Sequence, residues 1–135
     1  MRISAHLDTD IDKMLVCACG CGMGSDVWMF RPQLIAMFEH VRAVVGRAIL
    51  VTSGYRCPKH NEAIGGVHRS QHTLGCALDI APSGPMRYED FATAVRRAVD
   101  TNDDFRSGGV GLYPAKGFCH IDIALGLPPL RRWQK

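Results

Sequence analysis

A chain of 135 residues has room for one domain with a real core and too little for two. Its 47% hydrophobic and 21% charged residues are ordinary globular proportions, and no run of ~18 apolar residues is present to span a membrane. The net charge of +3 suits an anionic partner or an ordinary solvated surface, but the basic residues are dispersed and lack an aromatic platform, which argues against nucleic-acid binding.

The first residues, MRIS followed by Asp8, Asp10 and Asp12, contain no apolar core of the kind an export signal carries, so synthesis in the cytoplasm is expected. Residues 1–16 show no clear period. Residues 17–25 are Gly-rich and read as loop. Three of the six cysteines are packed there as Cys17, Cys19 and Cys21, while Cys57, Cys76 and Cys119 lie singly. Cysteines spaced i, i+2 do not bridge each other readily, though any one can reach a distant partner. The run lacks the CxxC pairs of a zinc ribbon. A disulfide, a second metal joining the run to Cys57, and free thiols are the open readings.

Pro32 marks a helix start, and Leu34, Met37, Phe38, Val41, Val44 and Val45 recur at helical spacing until Gly46. Residues 48–52 (AILVT) form a short β-branched run that predicts a buried strand. It delivers the turn SGYR at its C-terminal end. Residues 59–64 have room for about one helical turn before Gly65-Gly66. Residues 76–80 (CALDI) predict a second strand, residues 82–85 a turn and residues 88–100 a second helix. Residues 110–113 and 118–123 predict a hairpin around the turn at residues 114–117. Alternation places Phe118, His120 and Asp122 on one face. The tail carries prolines and Arg131-Arg132-Trp133. The expected fold is α+β, with two main helices packed on a small, largely antiparallel sheet.

Within that frame His72 precedes one strand, Asp79 lies on it, and His120 lies on a neighbour. Two imidazoles and a carboxylate are good zinc donors, and three protein ligands leave a fourth position for water. The spacing alone is a weak signal, since a hydrogen-bonded loop histidine, a capping aspartate and a satisfied strand histidine would look the same.

The wording around these residues is more specific. It comprises Ser53-Gly54-Tyr55-Arg56-Cys57-Pro58, then His60-Asn61, Gly65-Gly66 and the pattern SxHxxGxAxD from Ser70 to Asp79. It closes with Gly109-Val110-Gly111, Tyr113-Pro114, and Phe118-x-His120-x-Asp122. Together these segments resemble the zinc D-Ala-D-Ala carboxypeptidase family, which includes peptidoglycan endopeptidases, some of them common in phages. The resemblance covers residues 30–133, with residues 1–29 as a Cys/Gly-rich N-terminal segment of one domain. It implies the small zinc fold shared with hedgehog-type signalling domains.

By this resemblance His72, Asp79 and His120 are ligands of one Zn2+ per chain. Arg56 holds a substrate carbonyl or carboxylate oxygen, and Ser70 hydrogen-bonds substrate or a ligand. Many members carry the general base two or three residues before the last zinc histidine; here those positions are Phe118 and Gly117, which take no proton. Asp122 is the expected base, with support of a ligand or of Arg56 as its other role, and His68 is a poorer candidate.

The implied activity is zinc-dependent hydrolysis of a peptide bond in the peptidoglycan stem, by a monomer that reaches the wall after release or as part of a virion. A non-catalytic zinc module that binds wall fragments, or a phage structural part, is the alternative.

Overall fold

The computed structural model describes residues 1–135. It is α+β, as expected. The chain opens with a small antiparallel hairpin, β1 (Arg2–Ser4) and β2 (Leu7–Asp8). Helix α1 (Pro32–Val45) begins with proline in its first turn, where the ring costs no hydrogen bond. It ends at Gly46 in the left-handed region, with the Gly46 N–H on the Arg42 carbonyl. Its buried residues Leu34, Met37, Phe38, Val41 and Val45 form the stripe that the spacing predicts.

Strand β3 (Ile49–Ser53), helix α2 (Pro58–Ala63), β4 (Ala77–Pro82) and helix α3 (Tyr88–Asp100) follow, then β5 (Gly109–Tyr113), β6 (Phe118–Asp122) and β7 (Arg132–Gln134). The main sheet has the order β3-β4-β6-β5-β7, antiparallel throughout except for the parallel pair β5 and β7. Helices α1 and α3 pack together over one face of it. Their stripes meet Val51, Leu78, Ile80, Val110, Cys119 and Ile121 in a single buried cluster.

The predicted strands and helices stand within a residue or two of their expected bounds. Three strands were not expected. Strands β1 and β2 are too short for a period to register, yet Ile3, Leu7 and Leu15 are buried in the main core. The carboxylate of Glu39 fastens their turn by accepting from Ser4 Oγ at 2.6 Å and His6 N at 3.0 Å. Strand β7 has no alternation of its own. It is held by backbone pairing with β5 and by Arg132, which donates to the carbonyls of Gly108 and Arg106.

The opposite face of the sheet carries polar side chains. The pairing register lines up one transverse row across all five strands: Ser53, Asp79, His120, Gly111 and Trp133. Gly111 is what lets this row close. A Cβ there would lie within 2.3–2.5 Å of the Trp133 indole, so only glycine leaves room for the ring to lie across β5 toward His120. The two rings are 5.3 Å apart, centroid to centroid.

Candidate active site

The row opens into a cleft of about 700 Å3. Its walls are the end of β3, residues 64–72, the β5–β6 hairpin and the tail. At its floor Asp79 Oδ1 lies 3.2 Å from His72 Nε2 and 3.0 Å from His120 Nδ1. His72 and Asp79 are buried, and His120 is mostly so.

Each imidazole is oriented from behind. His72 Nδ1 lies 2.8 Å from the carbonyl of Gly54, which can only accept, so that nitrogen carries the proton. In a neutral ring Nε2 then turns a lone pair toward a carboxylate oxygen, an arrangement that favours a cation between them. His120 Nε2 lies 2.8 Å from Asp122 Oδ2, the carboxylate–histidine pairing that fixes a metal-binding tautomer. Two metal–ligand bonds of about 2.1 Å at a tetrahedral angle separate their donor atoms by roughly 3.4 Å, close to both spacings here. The donor set therefore fits a zinc ion.

Gly54 owes its place to close packing. A Cβ there would sit 2.6 Å from the Leu15 backbone, against which Tyr55 N donates to Leu15 O. The buried Asp79 carboxyl loses by desolvation but gains more from the His120 and His72 hydrogen bonds, which hold it well below the usual carboxylate range. Burial pulls His120 down, and its bonds to Asp122 and Asp79 more than offset this, raising it.

Arg56 lines the same cleft. Its backbone N–H donates to the His72 carbonyl at 3.1 Å, which ties the SGYR turn to the histidine loop. Its Nη1 donates to Asn61 Oδ1 at 3.0 Å, while its Nε is buried with no partner. Ser70 also lines the cleft, and its Oγ accepts from the His72 N–H at 3.3 Å. Arg69 beside it has φ 57, an uncommon backbone state for a non-glycine residue at a cleft wall.

Asp122 lines the bottom of the cleft, with its carboxylate almost wholly covered. Its side chain is 1% exposed. Oδ1 accepts from Gly109 N at 3.1 Å, Ala124 N at 2.8 Å and the Arg131 guanidinium, and Oδ2 faces His120. Desolvation raises this carboxyl, but the bonds from His120 and Arg131 win and bring it down to about 2. A depressed carboxyl stabilises the folded state above its unfolded value near 3.8, and that stabilisation is lost as pH falls toward 2. Asp122→Asn protein is expected to be less stable than wild type at pH 7 by on the order of 2 kcal/mol, with the gap closing in acid, and to bind zinc about 10–100-fold more weakly. Denaturant titrations across pH and a zinc competition assay measure both.

Four contributors were given no role from the sequence, although Asn61 lies in a quoted segment. Asn61, buried on α2, holds Arg56 and donates to the Val67 carbonyl at 2.8 Å. Gln71 clamps the Leu125 backbone at both its amide atoms. Arg131 pins Asp122, and Trp133 covers His120, its indole N–H donating to Tyr113 Oη at 2.9 Å. Only the close spacing of Arg131, Arg132 and Trp133 hinted at the last two.

The peptidase M15 family model matches residues 9–122. A curated relative, the probable peptidoglycan L,D-endopeptidase MepK of Haemophilus influenzae, is 27% identical over 111 residues, covering 76% of this chain and 53% of that protein. The chain thus spans about half the length of the curated relative it matches. No helix is long and apolar enough to cross a membrane. With most of its length matched, the His72, Asp79 and His120 floor included, the chain belongs to the peptidase M15 family.

Proposed function

We propose that the chain is a zinc-dependent peptidase that cuts a peptide bond in the peptidoglycan stem, of D-Ala-D-Ala carboxypeptidase or endopeptidase type, as a monomer acting on the wall after release or within a virion. The observation that carries this reading is the convergence of His72 Nε2, Asp79 Oδ1 and His120 Nδ1 on the floor of a cleft that Arg56 also lines. Membership of a peptidase family and similarity to a relative named for a peptidoglycan endopeptidase support it. Zinc held by the three residues would polarise the scissile carbonyl and acidify a water molecule.

The chain's own groups supply the rest. Arg56 lines the cleft, where its guanidinium would stabilise negative charge developing on a substrate oxygen. Arg56, Arg69, Lys116 and Arg131 line the cleft, while its two carboxylates already face imidazoles. The resulting positive wall suits a peptide with free carboxylates. Ser70 is placed to hydrogen-bond substrate at the rim. The Asp122 oxygens are taken up by His120, Arg131 and two backbone N–H groups, so it acts through the His120 ring as a positioning residue.

His68 is the one imidazole lining the cleft outside the ligand set, and it is exposed. It is the group available to carry the proton from water to the leaving amine. His68→Gln is expected to lower kcat by at least about 10²-fold, with zinc content unchanged. An unaltered kcat would assign proton transfer elsewhere.

A second reading is a zinc module that binds wall fragments without cutting them. It is favoured by the lack of a free carboxylate in the cleft. Incubation of zinc-loaded protein with peptidoglycan sacculi, read by mass spectrometry beside a chelator control, separates the two. Chelator-sensitive products establish hydrolysis, and their masses name the bond. Bound but uncut sacculi establish the binding module.

A further inference from the structure

A second cluster of metal-ligating side chains lies apart from the cleft floor. Cys17, Cys19, Cys21 and Cys57 bring their four Sγ atoms within 4.8 Å of one another. Cys17 and Cys19 are 3.5 Å apart, and Cys19 and Cys57 are 3.6 Å apart. Zinc–thiolate bonds of about 2.3 Å at tetrahedral angles separate sulfurs by roughly 3.8 Å, whereas a disulfide needs about 2.05 Å. The cluster therefore has the spacing of a metal site.

The backbone is built to bring the sulfurs together. Gly20 and Gly22 alternate with the cysteines and take φ of 86° and 84°, which coil the run tightly enough for three side chains spaced i, i+2 to share one side. Two backbone donors point at sulfur: Cys57 N toward Cys17 Sγ at 3.4 Å, and His60 N toward Cys57 Sγ at 3.3 Å. Such donors stabilise thiolate over thiol.

Disulfide chemistry accounts for this arrangement poorly. Cysteines spaced i, i+2 do not readily bridge each other, and only Cys57 approaches the run from outside. Cys76 and Cys119 are buried elsewhere, on other partners. One disulfide would use two of the four thiols and strand the others. A metal uses all four.

We propose that Cys17, Cys19, Cys21 and Cys57 bind one zinc ion as a tetrathiolate, a closed structural site distinct from the His72–Asp79–His120 floor. Four soft sulfurs in a tetrahedron select zinc or iron among common metals, and no sulfur is left for a substrate. The site fastens residues 14–21 to residues 54–57, which already pair through Gly54 N to Met14 O and Tyr55 N to Leu15 O. Arg56 lies between Tyr55 and Cys57, so the ion holds the arginine turn from behind.

The test is made on full-length protein purified under reducing conditions. Elemental analysis is expected to give two zinc per chain, with a thiol-specific mercurial releasing one of them and His120→Ala protein lacking the other. Cobalt reconstitution of His120→Ala protein is expected to give intense thiolate-to-cobalt charge-transfer absorption, absent from the Cys19→Ser, His120→Ala double variant. Iron in place of zinc, read by the same analysis and by visible colour, would overturn the choice of metal. A single zinc per wild-type chain that the mercurial cannot release, native thiols that react freely whether or not zinc is present, or an intact mass showing a disulfide would each overturn the site. The mercurial and mass measurements use wild-type protein, so they do not depend on a variant folding. Loss of peptide hydrolysis bears only on the cleft and leaves this stoichiometry unaffected.

Discussion

On the proposed zinc chemistry, Asp79→Ala protein is expected to lose the metal of the cleft floor, and its peptide hydrolysis to fall by at least about 10³-fold. The size follows from the geometry. One oxygen of Asp79 faces both imidazoles, at 3.2 and 3.0 Å, so its removal takes away a ligand and the negative charge at once. A metal's charge stabilisation is worth several kcal/mol, and each ~1.4 kcal/mol is tenfold in rate. Asp79→Asn keeps the volume and gives the control for folding. It fills the same space between β3 and β6, but its uncharged amide is a poor zinc ligand. Circular dichroism, zinc content and turnover of the two variants together decide the matter. Wild-type hydrolysis by either variant would remove this site from the chemistry.

The second large effect concerns Arg56. Arg56→Lys is expected to lower kcat/KM by about 10²–10³-fold, the usual cost of losing a preorganised donor to developing negative charge, while zinc content stays at the wild-type level. The choice of lysine makes the test discriminating. Lysine keeps a positive charge in the cleft but gathers its donors on one nitrogen, whereas the planar fork of Arg56 can hold Asn61 through Nη1 and still present a donor to substrate. Asn61→Ala is the companion variant: with the charge intact and its brace gone, it is expected to raise KM more than it lowers kcat. Equal activity in Arg56→Lys and wild type would show that charge alone matters there.

How far the site is legible in the sequence differs by residue. The strand alternation that sets Phe118, His120 and Asp122 on one face is a local property, and so is the proline-to-glycine span of α1. Both can be read without knowing what the segments touch. The same alternation places Asp122 beside His120 but cannot say that Gly109, Ala124 and Arg131 will close over it. Its burial and its clamp by Arg131 are decided by the tail folding back. Asn61 and Gln71 are ordinary polar residues until their distant partners, Arg56 and the Leu125 backbone, arrive. Strand β7 is hidden for a related reason. Three residues without alternation become a strand because Gly111 leaves space for Trp133 on a neighbour already in place.

The dependence of the cleft on Arg131 and Trp133 has a consequence for the nascent chain. Synthesis runs from the N-terminus, so His72 and Asp79 leave the ribosome well before His120, and the clamp on Asp122 and the cover on His120 follow later. Strands β3 and β4 can pair early, but β4 must wait for β6 and β5 must wait for β7. Contacts this distant along the chain form slowly. Throughout elongation the floor of the cleft is an incomplete set of ligands without its lid of tryptophan. Until residues 131–133 have docked, His120 lacks its cover and Asp122 its clamp.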